Sequence, residues 1–260
     1  MASRTVQGIA AALGTVAILA GATAQASAAQ TTTASEKWND VAATPASYAT
    51  YLRHSSEEGS ADVLKGFQRL TPAQQSKFVG YLHDPALLTS FLDKTAGQGS
   101  ERSAYIRNAA STTSLRDGDI VVAQERNVSR VATARPLPAG NHTVTYTTYV
   151  KYFGVKVIKM NLSVTFHSNG HDITKVTDAE PSLKNFSGAI SISHAVPKKS
   201  LSNWGWCQRG HTCSRGHNAD ASVIWEGTVV YKGSTFQFDK KQWMRANVYG
   251  KLIDYYVHNV

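Results

Sequence analysis

The chain has 260 residues, a formal net charge of +9 and a pI of about 9.5, and hydrophobic residues make up 42% of it. This apolar share is enough for a packed core and excludes disorder over most of the chain. The two cysteines exclude a disulfide-dense scaffold and a zinc site made of four cysteines.

Residues 1–28 have the pattern of a secretory signal peptide. Arg4 precedes an apolar stretch from Val6 to Ala24, and Ala26-Ser27-Ala28 is a sequence that signal peptidase accepts. We therefore expect a secreted, extracellular protein whose mature chain starts near Ala29, with a retained N-terminal anchor as the alternative. No later segment approaches 18 consecutive apolar residues, so we expect no transmembrane helix in the mature protein.

Apolar residues at helical spacing predict a small helical unit over residues 36–94. A weaker helix is expected up to Leu52, and a second one is expected to be capped by Ser60. Its apolar stripe consists of Val63, Leu64, Phe67 and Leu70. Thr71-Pro72-Ala73-Gln74 is a capping box for the next helix, and Asp84-Pro85 is expected to end that helix and begin another.

The periodicity changes from helical spacing to alternation after residues 95–118, which we interpret as a linker. Residues 119–260 are expected to form an antiparallel β domain. Its clearest strand has alternating apolar residues at Ile158, Met160, Leu162, Val164 and Phe166. Further strands are expected near 120–124, 128–134, 144–150, 188–196, 221–231, 235–239 and 243–257.

Turn residues between the predicted strands indicate how they connect. Asn169-Gly170 predicts a hairpin with a two-residue loop, which would place Phe166 opposite Ile173. Short strands without helices between them favour antiparallel pairing. The expected fold class is α+β, with a small N-terminal helical unit followed by an antiparallel β-sandwich.

The charge is divided unevenly along the chain. Residues 29–110 contain eight basic and eight acidic residues, whereas residues 111–260 contain 18 basic and 10 acidic residues. The net positive charge therefore belongs to the β domain and favours an anionic partner. Simple solubility of a released protein is the alternative explanation.

One segment, residues 204–217, combines two cysteines with aromatic and basic side chains. Cys207 and Cys213 are expected to form a disulfide in an oxidising compartment, closing a short loop. The candidate binding residues on this loop are Trp204, Trp206, Arg209, His211, Arg215 and His217. Such a loop suits stacking of a sugar or base on indole while arginine holds a phosphate or carboxylate.

Other interpretations of this segment stay open. It is equally well explained as a stapled connection with both tryptophans in the core. A metal site formed by Cys207, His211, Cys213 and His217 has spacings unlike those of known zinc sites, and a Cys–His nucleophile would need the thiolate that a disulfide removes.

Recognisable enzyme motifs are missing from the sequence. His194 lies in phase with Ile190, Ile192 and Val196, which favours a hydrogen-bonded core histidine over a catalytic one. We assign no catalytic residue and expect no cofactor and no metal.

Leu70–Pro85 together with Tyr152–Phe166 resembles secreted proteins of Gram-positive bacteria that join a short helical region to a β-rich one. Some proteins of that type are regarded as bacteriocin-like, antimicrobial factors. The resemblance covers residues 60–258 and implies secretion and a candidate antibacterial activity. It transfers no functional residue.

The leading hypothesis is a secreted, non-enzymatic protein that binds an anionic polymer, glycan or lipid surface of a cell envelope, without specific nucleic-acid binding. Two alternatives belong to other classes. One is a secreted hydrolase with an unrecognised site, which a pocket that brings His194 together with two carboxylates would support. The other is a protease inhibitor that presents residues 207–213. The sequence predicts no oligomeric state.

Overall fold

The computed structural model describes residues 42–84, 87, 112–128, 135–203, 216–231 and 234–260. Three helices in this part are α1 (Pro45–His54), α2 (Ser60–Gln68) and α3 (Pro72–Leu82). The strands are β1 (Thr112–Leu115), β2 (Ile120–Val128), β3 (Gly140–Tyr152), β4 (Val155–Ser168), β5 (Ile173–Asn185), β6 (Ile190–His194), β7 (Lys198–Ser202), β8 (Asn218–Tyr231), β9 (Ser234–Ala246) and β10 (Leu252–Asn259).

The helices begin where their capping chemistry allows. The capping box predicted at the start of α3 is confirmed, since the Thr71 hydroxyl accepts from the Gln74 amide and the Gln74 side chain accepts from the Thr71 amide. Ser60 does not cap α2 as expected, because Gly59 with a φ of 98° takes that position and Ser60 is the first helical residue. Leu87 is helical and buried, and its amide donates to Asp84; the rest of the helix predicted after Pro85 lies outside the described residues.

The helices pack on one end of the β structure. The Tyr48 hydroxyl donates to the carbonyl of Phe186 at 2.9 Å, and the Phe78 ring meets Tyr152 edge-on at 5.4 Å. Gly66 allows close approach, because a Cβ there would lie 3.2 Å from Val155. Buried side chains of the helices and of both sheets belong to one hydrophobic cluster.

Ten antiparallel strands of the described part form two sheets. Sheet A has the order β1-β2-β3-β4-β5. Sheet B has the order β10-β9-β8-β6, with β7 pairing with the other half of β8. The fold is therefore mostly antiparallel β with a small helical part, consistent with the α+β class.

The alternation predicted for β4 is confirmed. Met160, Leu162, Val164 and Phe166 are buried, while the residues between them are partly exposed. The strand predicted at 120–124 is longer than expected, because β2 continues without a break to Val128. The rest of the strand predicted at 128–134 lies outside the described residues.

Two predictions for the β region are wrong. Thr112–Leu115, expected in the linker, forms β1 because it pairs with Ile120–Ala123 and buries Leu115. The loop after β4 has four residues instead of two, so Ser168 lies opposite Ile173 and Phe166 opposite Val176. The Asn169 side chain explains the longer loop. Its oxygen accepts hydrogen bonds from the backbone amides of His171 and Asp172, which widens the turn.

Sheet B contains one very close contact between neighbouring strands. Gly227 of β8 lies opposite Phe238 of β9, whose ring covers the glycine. A Cβ at position 227 would lie 1.9 Å from Phe238 Cζ. Only glycine therefore leaves room for this ring position.

Candidate functional site

The loop predicted to bind a ligand lies almost entirely outside the described residues. This applies to Trp204, Trp206, Cys207, Arg209, His211, Cys213 and Arg215. The proposed disulfide and the inhibitor alternative, which depends on residues 207–213, stay predictions. His217 is the one candidate binding residue that the structure places.

His217 is held at the start of β8 by Asp172, which lies in the turn between β4 and β5. One Asp172 oxygen accepts from the His217 amide at 2.7 Å and from the Ile173 amide at 2.8 Å, and the other lies 2.7 Å from His217 Nδ1. Burial disfavours the Asp172 anion, but the hydrogen bonds from His217 and Ile173, together with the charge interaction with His217, outweigh burial and lower the pKa of this carboxyl. His217 is therefore an anchor for the end of the loop, with its side chain committed to Asp172.

A group of lysines surrounds Tyr149 on the outward side of sheet A. The ammonium groups of Lys156, Lys151 and Lys159 lie 4.4, 5.4 and 5.7 Å from the centre of the Tyr149 ring. Lys184 lies directly opposite Lys159 on the neighbouring strand. We call these four lysines the lysine cluster.

The pairing of strands places like charges opposite each other in the lysine cluster. Lys151 faces Lys156 across β3 and β4, and Lys159 faces Lys184 across β4 and β5. Like charges directly opposite on neighbouring strands destabilise a sheet. An anion bound between these ammonium groups would reduce that repulsion, and the Tyr149 ring face favours nearby cations.

Three carboxylates elsewhere in the described β region have basic partners of their own. Asp119 lies 3.7 Å from Lys77, Asp220 2.7 Å from Arg245, and Asp178 3.9 Å from Lys199. Beside the lysine cluster, the Glu58 carboxylate lies 2.5 Å from Lys184 Nζ, and this hydrogen bond lowers the Glu58 pKa. Lys156 and Lys159 form no ion pair within the described part of the chain.

A chain of polar side chains adjoins the lysine cluster on the same side of sheet A. Thr147 donates to the Asn161 carbonyl oxygen at 2.8 Å, and the Asn161 amide donates to the Ser182 hydroxyl at 2.9 Å. Thr145 and Ser163 are joined by a 2.8 Å hydrogen bond one row further along. The row continues on β5 with the exposed Glu180, opposite Ser163.

The outward side of sheet B carries a stack of planar side chains. The Arg245 guanidinium lies 5.0 Å from the Trp243 ring, Trp243 stacks on Tyr256 at 5.0 Å, and Tyr256 stacks on His258 at 4.5 Å. Arg245 also makes two hydrogen bonds to Asp220, which raise its pKa. These planar groups cover one another, so we assign the stack to stabilising sheet B.

His194 is not in the core, contrary to the sequence prediction. Its side chain is exposed, Val196 is 85% exposed, and Ile190 alone of the expected apolar face is fully buried. The reason is that β6 is an edge strand of sheet B and ends at His194, so the alternation does not continue into the core at that point. His194 contacts the edge of Trp225, and its ring nitrogen meets the Ala195 carbonyl.

The position of His194 gives no support to the hydrolase alternative. Glu226 contacts Ser193, the neighbour of His194, on the other side of the strand. An open groove of about 550 Å³ beside α1 is lined by Ala46, Ser47, Thr50, Tyr51, His54 and Ser55, a set without a carboxylate.

Within the described ranges, no group of three or more His, Cys, Asp or Glu side chains is arranged to hold a metal ion. Among the helices of those same ranges, none combines the length and the apolar character needed to cross a membrane.

Comparisons with protein families, curated proteins and solved structures found no match for this chain.

The lysine cluster was not predicted from the sequence. Each lysine is unremarkable in the linear sequence, and Lys184 is 33 positions from Lys151. A signal was nevertheless present, since Tyr149 and Lys151 alternate on one strand and Lys159 lies out of phase with the apolar residues of the next. Strand register was needed to bring them together.

Proposed function

We propose that the protein is secreted and binds an anionic component of a cell envelope without catalysing a reaction, with antibacterial activity as a consequence of that binding. The lysine cluster is the observation that carries this proposal. Several ammonium groups meet at one aromatic ring, on a surface where neighbouring lysines repel each other. A polymer rich in phosphate or carboxylate groups complements such a surface.

The proposal includes the arrangement of the two sheets as a β-sandwich. In support of it, the Gln242 amide of β9 donates to the Tyr146 carbonyl of β3 at 3.3 Å. The rings of Tyr146 and Tyr255 also lie 4.9 Å apart, joining β3 to β10. With the apolar faces turned towards each other, the lysine cluster lies on the outside and is open to a polymer.

Retention on isolated material tests the binding. The mature chain, starting at Ala29, is mixed with Gram-positive cell walls, with the same walls stripped of phosphate polymers, and with anionic or zwitterionic vesicles, each at low and high ionic strength. We expect retention on native walls or anionic vesicles that decreases with salt. Absence of retention on both at low salt would overturn the proposal.

A pair of variants separates the lysine cluster from general positive charge. Lys156→Gln with Lys159→Gln is compared with Lys198→Gln with Lys251→Gln, which removes the same charge from exposed positions elsewhere. At about 1 kcal/mol for each surface lysine near an anionic layer, the two substitutions of the first variant should weaken binding about 30-fold. Equal weakening by the two variants would show that the lysine cluster is not the site.

A further inference from the structure

We propose that the lysine cluster binds a single phosphate group of a phosphorylated saccharide, and that the uncharged, hydroxyl-bearing part of this ligand lies along β5 towards Glu180. This inference rests on the proposed function and specifies the ligand of the same site.

The charge changes sign along the outward face of β5. Lys184, Ser182, Glu180 and Asp178 follow one another towards the start of the strand, opposite Lys159, Asn161, Ser163 and Thr165 of β4. At about 3.3 Å per residue, Lys184 and Glu180 are separated by about 13 Å along the strand. Lys199 lies 3.9 Å from Asp178, whereas Glu180 forms no ion pair within the described part of the chain. The row is therefore basic at Lys184 and acidic at Glu180.

This polarity selects against a uniformly charged polymer. A chain of closely spaced phosphates lying along β5 would place a negative group beside Glu180, and juxtaposed like charges are unfavourable. A ligand with one anionic group and a neutral remainder meets no such repulsion. The basic end therefore suits the anionic group, and the acidic end suits hydroxyls that donate to carboxylates.

Between Lys184 and Glu180, the hydrogen bonds of this row leave one hydroxyl proton free to donate. Asn161 accepts from Thr147 and donates to Ser182, so the Ser182 oxygen acts as an acceptor within the protein. The Ser182 hydroxyl proton has no acceptor among the side chains that the structure describes, and Ser182 is exposed. It is therefore available to donate to a ligand oxygen beside the lysine cluster.

Glu58 shows how the basic end is occupied before a ligand arrives. Its carboxylate contacts Lys184 Nζ, although the Glu58 side chain is 91% exposed. The Lys184 ammonium also donates to the Glu58 backbone carbonyl at 3.1 Å, which a substitution of the side chain would leave in place. A phosphate would compete with the Glu58 carboxylate for Lys184, so removing that carboxylate should strengthen phosphate binding.

The test is isothermal titration of the mature chain with four probes: glucose 6-phosphate, inorganic phosphate, tripolyphosphate and glucose. We expect glucose 6-phosphate to bind more tightly than inorganic phosphate and tripolyphosphate, and glucose alone to bind most weakly. Lys159→Gln should weaken glucose 6-phosphate binding about fivefold, and Glu58→Gln should strengthen it.

Glu180→Gln is the decisive variant, with the exposed Glu226→Gln on sheet B as its matched control. We expect Glu180→Gln to improve tripolyphosphate binding and to weaken glucose 6-phosphate binding, whereas Glu226→Gln should change neither. Wild-type binding that is tighter for tripolyphosphate than for glucose 6-phosphate, or the absence of glucose 6-phosphate binding, would overturn the inference. If cell walls still retain the protein in that case, the proposed function stands and only its ligand class is wrong.

Discussion

Asp172 joins the turn between β4 and β5 to the start of β8, and removing its carboxylate should destabilise the protein measurably. A hydrogen bond to a charged group contributes about 1.5–3 kcal/mol. Asp172 accepts three such bonds, from Ile173 and His217, but its side chain is 30% exposed, so solvent screens part of their energy. We expect Asp172→Ala to lower the free energy of unfolding by about 2–3 kcal/mol.

Asp172→Asn should lower the free energy of unfolding by less than Asp172→Ala does, about 1 kcal/mol, because one side-chain oxygen is retained. That oxygen keeps the bonds from the two backbone amides, and the new amide group donates to His217 Nδ1 when this nitrogen carries no proton. The Asn variant therefore isolates the contribution of the negative charge.

The pH dependence has a defined sign. The Asp172 pKa is lowered in the folded protein, so its charge stabilises the fold above the unfolded-state pKa of about 3.9 and this contribution is lost as the pH falls through the folded-state value. The difference in stability between the wild type and Asp172→Asn should be fully present near neutral pH and shrink below about pH 4.

Urea unfolding followed by tryptophan fluorescence, repeated across this pH range, measures both effects. Asp178→Ala is the control, because Asp178 lies 3.9 Å from Lys199 and its side chain is 65% exposed. A surface pair of this kind contributes about 0–1 kcal/mol. If Asp172→Ala costs no more than Asp178→Ala, the assignment of Asp172 as an anchor is refuted.

Two further predictions concern sheet B and use the same unfolding assay. Gly227→Ala should lower the free energy of unfolding by about 1–3 kcal/mol, because the new Cβ would displace the Phe238 ring. As the control, Gly80→Ala in α3, where nothing lies within 4 Å of the new Cβ, should raise it by about 0.5–1 kcal/mol. A similar effect of both variants would contradict the close contact. Arg245→Lys should cost about 1–2 kcal/mol through loss of the two-point bond to Asp220 and of stacking on Trp243. The exposed Arg53→Lys should change stability by less than about 0.5 kcal/mol, and equal effects of the two lysine variants would show that the guanidinium geometry is unimportant.

Sequence periodicity was a sound guide where one face of an element decides burial. The stripe of α2 and the alternation of β4 have this property, since Phe67 and Leu162 face the core at the expected spacing. Capping chemistry was equally informative at Thr71, where the interactions involve residues only three positions apart.

Predictions failed where side chains or strands distant in the sequence decide the outcome. The oxygen of Asn169 widened a turn for which Asn-Gly alone predicted two residues. His194 continues an apolar alternation but lies at the end of β6, where the alternation no longer implies burial.

The candidate site depended most on register. Lys159 and Lys184 become neighbours only because Ser168 pairs with Ile173 and the β4–β5 ladder contains two register shifts. A hairpin with the two-residue loop would have changed every one of these pairs. The sequence therefore predicted a basic β region correctly from its composition, while the position of the lysine cluster required the structure.

The strand order of sheet A has a consequence for how the protein folds. Each strand from β1 to β5 pairs with the next one in the chain, so all its ladders are local hairpins and close with little loss of chain entropy. A chain that emerges with its N-terminus first can complete this sheet once residue 185 is available, before β8, β9 and β10 exist to contribute their side chains to the shared hydrophobic cluster. We expect a folding intermediate in which sheet A is formed and its apolar surface is transiently exposed. Because such a surface favours aggregation, refolding should require dilution or a chaperone.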